Sequence, residues 1–239
     1  MRNDPADQLV VGLDADDTLW DNESAFAETE AKFRSLAAPW LSGDEADAAL
    51  IEVERANIAA YGYGVKSFVL SMIESITAVS AGEVTVTQLN EIIGWGKALL
   101  AAPPVLLPGV QATVGELVKT HRVLIVTKGD LQHQLTRVRA SGLDEVVEDV
   151  EVVAEKDAAT YATVLRRHRI AESDFVMVGN SMKSDVLPVL ELGGAAIHIP
   201  FHVTWALEVH DEPVDHPKLR TAATIAEVPA LIEQLESNQ

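Results

Sequence analysis

Asp14, Asp16, Asp17 and Thr18 stand directly after the apolar run Val10-Val11-Gly12-Leu13. Carboxylates this close repel one another, so a buried strand does not ordinarily end in so much negative charge unless something offsets it. A hard divalent cation does so: magnesium takes oxygen ligands, commonly one or two carboxylates plus water and substrate phosphate. The run is therefore expected to be a strand leading into an active-site loop. The plainer reading is an acidic turn capping the next helix, since Asp and Thr are common N-caps.

Three later segments repeat the arrangement. Thr127, Lys128 and Gly129 follow the apolar Val123–Val126. Lys156 and Asp157 follow Val150–Val153, and Gly179, Asn180 and Asp185 follow Phe175–Val178. If the four stretches are parallel strands, their ends share one sheet edge. Acids, a hydroxyl, an ammonium and an amide then surround one point, which is the equipment of phosphoryl transfer, where catalysis is mostly positioning and charge neutralisation. Taken singly, each residue has an ordinary alternative. Asp16 and Asp17 could cap a helix, Thr127 could be a strand-end hydroxyl, Lys156 a solvated charge, and Asn180 and Ser181 caps for a helix at Met182.

The elements that must position these groups are readable from periodicity. Gln8 to Leu13 is expected as the first strand. Apolar residues then recur at helical spacing in Ser24–Ala37, Glu45–Ala60, Val65–Val79 and Val86–Ala101, punctuated by Gly43, Gly62, Gly64 and Gly82 and closed by Pro103-Pro104. After Gly109 the pattern alternates. Helices are expected at Gln111–Thr120, Leu131–Ser141, Ala158–Arg169, Met182–Leu192 and Ile225–Leu235. Strands are expected at Arg122–Thr127, Asp149–Ala154, Asp174–Val178 and Ala195–Ile199. Such alternation implies an α/β fold: a doubly wound, Rossmann-like parallel sheet with an all-helical insertion after its first strand. The expected domains are an α/β core of residues 1–21 and 103–239 and a helical cap of residues 22–102. The cap would sit as a lid over the strand ends, with hinges at Asp21-Asn22 and Pro103–Gly109.

Composition narrows the partners. The chain has 239 residues and no cysteine, which excludes disulfides and thiolate metal sites. The formal net charge of −19 disfavours nucleic acid and anionic membrane, whose phosphates are bound through Lys and Arg. No apolar stretch reaches the roughly 20 residues needed to span a bilayer, and the first residues lack a signal pattern. A soluble, cytoplasmic protein is expected; the oligomeric state is not readable. The seven histidines show no zinc-like spacing.

Asp14-x-Asp16-x-Thr18, Thr127, Lys156 and the segment from Gly179 through Asn180 to Asp185 resemble, in order, the four motifs of the haloacid dehalogenase superfamily. The helical insertion between the first two motifs resembles members with an α-helical cap (type C1, subfamily I). The resemblance covers essentially the whole chain and implies a magnesium-dependent phosphatase acting on a small phosphorylated metabolite. It implies Asp14 as nucleophile and Asp16 as acid and base, with the Asp16 backbone carbonyl on the metal. It also implies Thr127, with the N–H groups of Lys128 and Gly129, on the phosphoryl oxygens, and Lys156 as the neutralising cation. Asp14, Asp185 and Asn180 would complete the Mg2+ site, directly or through water. Asn180 departs from the pattern, since many members carry Asp there, and Asp17 stands where many carry Gly.

Substrate choice is expected in the insertion. Tyr61, Tyr63 and Lys66 could stack on, hydrogen-bond or pair with a substrate, although an ordinary helix break accounts for them equally. Phe201, His202 and Trp205 could line the rim. Trp20 is expected to pack beneath the cap hinge. A metal-free 2-haloacid dehalogenase, in which the same aspartate attacks carbon, is the nearest alternative; it needs no acid for its halide. A phosphomutase would share the aspartyl-phosphate, and a binding protein that kept the fold would bind phosphate without turnover.

Overall fold

The structure, a computed structural model, describes residues 9–237. In chain order the elements are β1 (Val10–Leu13), α1 (Glu23–Ala37), α2 (Gly43–Tyr61), α3 (Val65–Val79) and α4 (Val86–Ala101). Then follow α5 (Val110–Leu117), β2 (Val123–Lys128), α6 (Leu131–Ser141), β3 (Asp149–Val153), α7 (Ala158–His168) and β4 (Phe175–Gly179). The chain closes with α8 (Leu187–Glu191), β5 (Ala195–His198), β6 (Leu219–Thr221) and α9 (Val228–Glu236). It divides into two compact units, the described residues up to Asp21 with those from Pro104 on, and Asn22–Pro103.

The first unit is built on a six-stranded sheet in the order β3-β2-β1-β4-β5-β6, every pairing parallel. The α/β expectation is met. Strand order reverses at β1, whose neighbours are β2 and β4. In open sheets of this kind the crevice outside the strand ends at such a reversal is where ligands bind. The sheet is apolar on both faces, as parallel sheets require. Val11, Leu13, Val123, Ile125, Val176 and Val178 pack on one face, against α5 and α9. Val10, Leu124, Val126, Phe175 and Met177 pack on the other, with Tyr161 and Leu165 of α7.

Gly12 sits on that second face with no room for a side chain. A Cβ there would collide with the Phe175 ring at Cζ and lie 2.9 Å from Met177 Sδ. Gly12→Ala is expected to cost about 1–3 kcal/mol through overpacking, read as a fall of several degrees in Tm.

The second unit is helical and has its own core of Phe33, Leu50, Phe68, Met72, Ile76 and Ile92. Two of its helices start on capping boxes, Ser42 with Glu45 and Thr85 with Gln88. Helix α2 therefore begins at Gly43 rather than at Glu45. Gly62 and Gly64, at φ 70° and 103°, make the break between α2 and α3.

Most element ends fall within a residue or two of expectation, and the larger differences are few. Gln8 lies outside the described residues. Helix α5 ends at Leu117, three residues early. The helix expected to start at Ile225 opens as a 3-10 turn, Ile225–Glu227, before α9. Strand β6, Leu-Arg-Thr on the sheet edge, carries no apolar run that would mark it in sequence. The fourth expected strand-to-helix junction, Met182–Leu192, is a π-turn over Met182–Val186 followed by α8. Pro188 has no N–H to give the Ser184 carbonyl, and the Tyr161 hydroxyl donates to it instead, at 3.1 Å. Among the described residues, no helix is long and apolar enough to cross a membrane.

Candidate active site

Asp14 leaves β1 with its N–H still donating to the Val178 carbonyl of β4, at 2.9 Å. Its carboxylate is thereby fixed at the strand-order reversal. The loop beyond turns back tightly. Asp17 lies at φ 63°, where a glycine would rest without strain. Its N–H donates to Trp20 O at 2.7 Å, Leu19 N–H donates to Ala15 O at 2.8 Å, and Leu107 N–H donates to Leu19 O at 2.9 Å. Leu19 and Trp20 are fully buried. Neither Asp16 nor Asp17 caps the next helix, whose N-cap is Asn22.

Lys156 arrives from the end of β3 and is almost wholly buried, so it is no solvated charge. Its Nζ donates to Asp14 Oδ1 at 2.5 Å and to Asp185 Oδ1 at 2.6 Å. Thr18 Oγ1 donates to the other Asp14 oxygen at 3.0 Å. Ser181 N–H donates to the other Asp185 oxygen at 2.9 Å. The π-turn projects Asp185 against Gly179, where a Cβ would strike the Asp185 carboxyl group. Gly179 is therefore the residue that lets this carboxylate in.

Two buried carboxylates share one ammonium. Burial is the main reason that the Asp14 carboxyl is pushed up to about 7, with Asp185 and Asp16 adding to it against the pull of Lys156. Burial works against the Lys156 charge, but Asp14 and Asp185 outweigh it and hold its pKa well above the usual value. The cluster thus carries an excess of negative charge in a dry place. Its donors, the carboxylates of Asp14 and Asp185 with carbonyl oxygens of Asp16 and Asn180 nearby in the chain, are the hard oxygens that magnesium prefers. The residues fit the ion.

Asp16 is held by three groups that sequence reading did not single out as partners. Arg137 Nη1 and Trp20 Nε1 both donate to its Oδ1, at 2.6 and 2.7 Å. Gln134 Nε2 donates to its Oδ2 at 2.8 Å and also approaches Thr127 Oγ1 at 2.7 Å. Gln134 and Arg137 are one turn apart on α6, so they share a face; both are buried. The Arg137 guanidinium lies 5.1 Å from the Trp20 ring centroid. Trp20 is thus bonded to the acidic loop and packed in the sheet core. A polar pair at i, i+3 on a helix that follows a motif-bearing strand was the available signal.

Thr127 is buried at the end of β2, and Gly129 follows at φ 139°. The Lys128 side chain turns elsewhere. Its Nζ meets Glu208 Oε1 at 2.6 Å, Ser184 Oγ at 3.1 Å and Glu155 Oε1 at 3.3 Å. The other Glu208 oxygen accepts from Ser181 Oγ and Ser184 Oγ, both at 2.6 Å. Burial raises the Glu208 carboxyl, but Lys128 and these hydroxyls outweigh it and hold it below the usual range. Glu208 lies in the 199–218 connection between β5 and β6, far in sequence from every motif. The Phe201 and His202 rings meet at a tilt in that connection, with centroids 4.3 Å apart. Asn180 is half-buried, and its backbone carbonyl is 2.9 Å from His198 Nε2. Ser181 does cap the turn after it, accepting from Ser184 N–H.

Tyr61, Tyr63 and Lys66 belong to the helical unit. Tyr61 is exposed at the end of α2, Tyr63 is in the break after it, and Lys66 is exposed in the first turn of α3. A separate group, Asp149, Glu151 and His168, lies at the amino end of β3 and the end of α7. There Glu151 pairs with Arg167 and His168, an ion-pair cluster apart from the strand carboxyl ends.

A family model of haloacid dehalogenase-like hydrolases matches residues 9–193. A solved haloacid dehalogenase-like family hydrolase from Xanthomonas campestris is 35% identical, with TM-score 0.86, over 97% of this chain and 95% of that one. A 2-haloacid dehalogenase from Pseudomonas syringae shares the fold at TM-score 0.62 and 20% identity, over 95% and 99% of the two chains. A protein described as a predicted phosphoglycolate phosphatase, from Haemophilus somnus, does so at 0.61 and 14%, over 94% and 98%. No curated protein matches the chain.

Proposed function

The chain belongs to the haloacid dehalogenase-like hydrolases, and we propose that within this family it is a magnesium-dependent phosphatase of a small phosphorylated metabolite. The observation that carries the proposal is Asp16. A halide leaves without a proton, whereas an alkoxide or phenoxide leaving from phosphorus is helped by one. A second carboxylate two residues beyond Asp14, fixed in place at the same strand end, suits phosphorus rather than carbon.

In this reading an Asp14 oxygen attacks phosphorus and forms an aspartyl-phosphate as the ester P–O bond breaks. Asp16 gives its proton to the departing oxygen. In the second half it takes a proton from the water that attacks phosphorus, as the Asp14–P bond breaks. Thr127 and the N–H groups of Lys128 and Gly129 hold the phosphoryl oxygens. Lys156 keeps Asp14 ionised and aligned. Asp14, Asp185, the Asp16 carbonyl and Asn180 would hold Mg2+, which when bound neutralises the phosphoryl charge. Substrate choice is assigned to the inserted helices, with Tyr61, Tyr63 and Lys66 as candidates, because the core residues address only phosphate and metal.

A second reading has one observation in its favour. Asn180 supplies a neutral oxygen where a carboxylate would bind metal more strongly, as metal-free displacement of halide from a 2-haloacid would permit. The deciding assay is aryl phosphate hydrolysis with magnesium, with EDTA and with Asp14→Asn protein. Magnesium-dependent release lost in both controls supports the phosphatase; halide release from 2-haloacids in its place overturns it.

The metal fit has its own test. Magnesium at about 100 times its Kd should stabilise by about 2.7 kcal/mol, or roughly 5–10 °C in Tm for a chain of this size. Differential scanning fluorimetry with magnesium and with EDTA reads it directly. An unchanged Tm at millimolar magnesium would count against the metal site.

A further inference from the structure

We propose that Arg137 is the positioning residue for Asp16, fixing the direction in which its carboxyl group faces. The proposal rests on the phosphatase reading and goes beyond it, because none of the motif residues accounts for the arrangement.

Asp16 is a quarter exposed, and a short carboxylate at a loop turn would otherwise rotate freely about its side-chain bonds. Arg137 and Trp20 both donate to Oδ1. That oxygen is saturated with N–H donors. Oδ2 meets Gln134 alone of the three, so the donors tell the two oxygens apart and set the direction in which the carboxyl group faces. Arg137 is itself confined: it is 9% exposed at the side chain and its guanidinium lies over the Trp20 ring. Gln134, one turn away on α6, joins Oδ2 to Thr127, the expected phosphate-binding hydroxyl. The Asp16 carboxyl group and the expected phosphoryl anchor are therefore indexed to the same helix face. A buried ion pair is weak evidence for stability, since desolvation offsets much of its attraction. A pair placed on the second carboxylate of the strand-end loop serves orientation.

In atoms, the Asp14–phosphorus bond forms, the phosphorus–leaving oxygen bond breaks, and a proton from Asp16 passes to that oxygen. Water then forms its bond to phosphorus, the Asp14–phosphorus bond breaks, and a water proton returns to Asp16. Arg137 touches neither substrate nor phosphorus and acts only through Asp16.

Leaving-group dependence separates this role from a structural one. An aryl phosphate departs with little need of an acid; an alkyl phosphate needs one. Magnesium-dependent kcat and KM are measured for both on wild type, Arg137→Met, Arg137→Lys and Trp20→Phe. Arg137→Met should lower kcat for the alkyl ester at least about tenfold more than for the aryl ester, with KM little changed. Arg137→Lys should recover part of the loss, and Trp20→Phe should show the same bias more weakly. In metal-free protein, NMR should show the Trp20 indole N–H resonance displaced by Arg137→Met, because the acceptor it shares with Arg137 has moved. Equal losses on both esters, or an unmoved indole resonance, would overturn the proposal and leave the phosphatase reading intact. Wild-type protein that hydrolyses neither ester would overturn both. If Arg137→Met fails to fold, Trp20→Phe and Arg137→Lys carry the comparison, and an unbiased loss in both overturns the proposal.

Discussion

Asp14→Asn should abolish turnover, by at least about 10^4-fold as for other covalent nucleophiles, while making the metal-free protein more stable rather than less. The second half follows from the charges. Asp14 and Asp185 share one ammonium in a buried place, and the Asp14 carboxyl is pushed up to about 7, mainly by burial. The folded chain therefore binds a proton that the unfolded chain has released. Such a group contributes stability that is fully present below its unfolded value of about 4 and is lost as pH rises towards 7. Asparagine resembles the protonated form and escapes that loss. Its advantage in Tm should accordingly be absent near the unfolded value, grow as pH rises through this window, and level off at several degrees by about pH 8. Paired melting curves of the two proteins in EDTA across this range check it. A parallel fall of both with pH would show that Asp14 is not the group responsible.

Lys156→Met should give the opposite result and the largest loss of stability of any single substitution at the site. Removing the ammonium leaves Asp14 and Asp185 facing each other in a dry cluster, since Lys156 Nζ is what separates them. Stranding buried charge by deleting its partner costs about 3–5 kcal/mol. The loss should be greatest at high pH, where Asp14 is ionised, and smallest at low pH, where it takes up a proton. Magnesium should raise the Tm of this variant by more than it raises that of wild type, because the cation then neutralises what lysine no longer does. Activity should be lost with or without it, because Asp14 is no longer aligned. Scanning fluorimetry across pH with and without magnesium separates the two effects. A variant as stable as wild type at about pH 8 would mean that the carboxylates are already neutral in the native protein.

These two substitutions rest on residues that were readable before any fold was known. Asp14, Thr127, Lys156 and Asp185 each stand within a few residues of an apolar run, and parallel strands leave one edge on which such ends can meet. The alternation of strand and helix after Gly109, and the helical spacing between Asn22 and Ala102, were equally legible because side-chain burial imposes its period on sequence. The chain also carries, in its own order, the four motifs by which it resembles its family.

Other parts were not legible, and the reason is distance along the chain. Arg137 and Gln134 reach Asp16 across 121 and 118 residues, and Glu208 reaches Lys128 across 80. The i, i+3 pair of Gln134 and Arg137 on α6 is visible in sequence, but nothing local says that it faces Asp16 and a tryptophan rather than solvent. Within the π-turn at Met182–Val186, the Ser184 carbonyl takes a tyrosine hydroxyl supplied from α7. Strand β6 exists because β5 offers it an edge, not because Leu-Arg-Thr favours a strand. By itself the sequence determined which groups are the candidates for the chemistry and on which strand ends they stand, since burial period and residue type are local properties. Only the tertiary structure decided which side chains hold those groups in place, since a hydrogen bond between remote residues leaves no trace in the spacing of either.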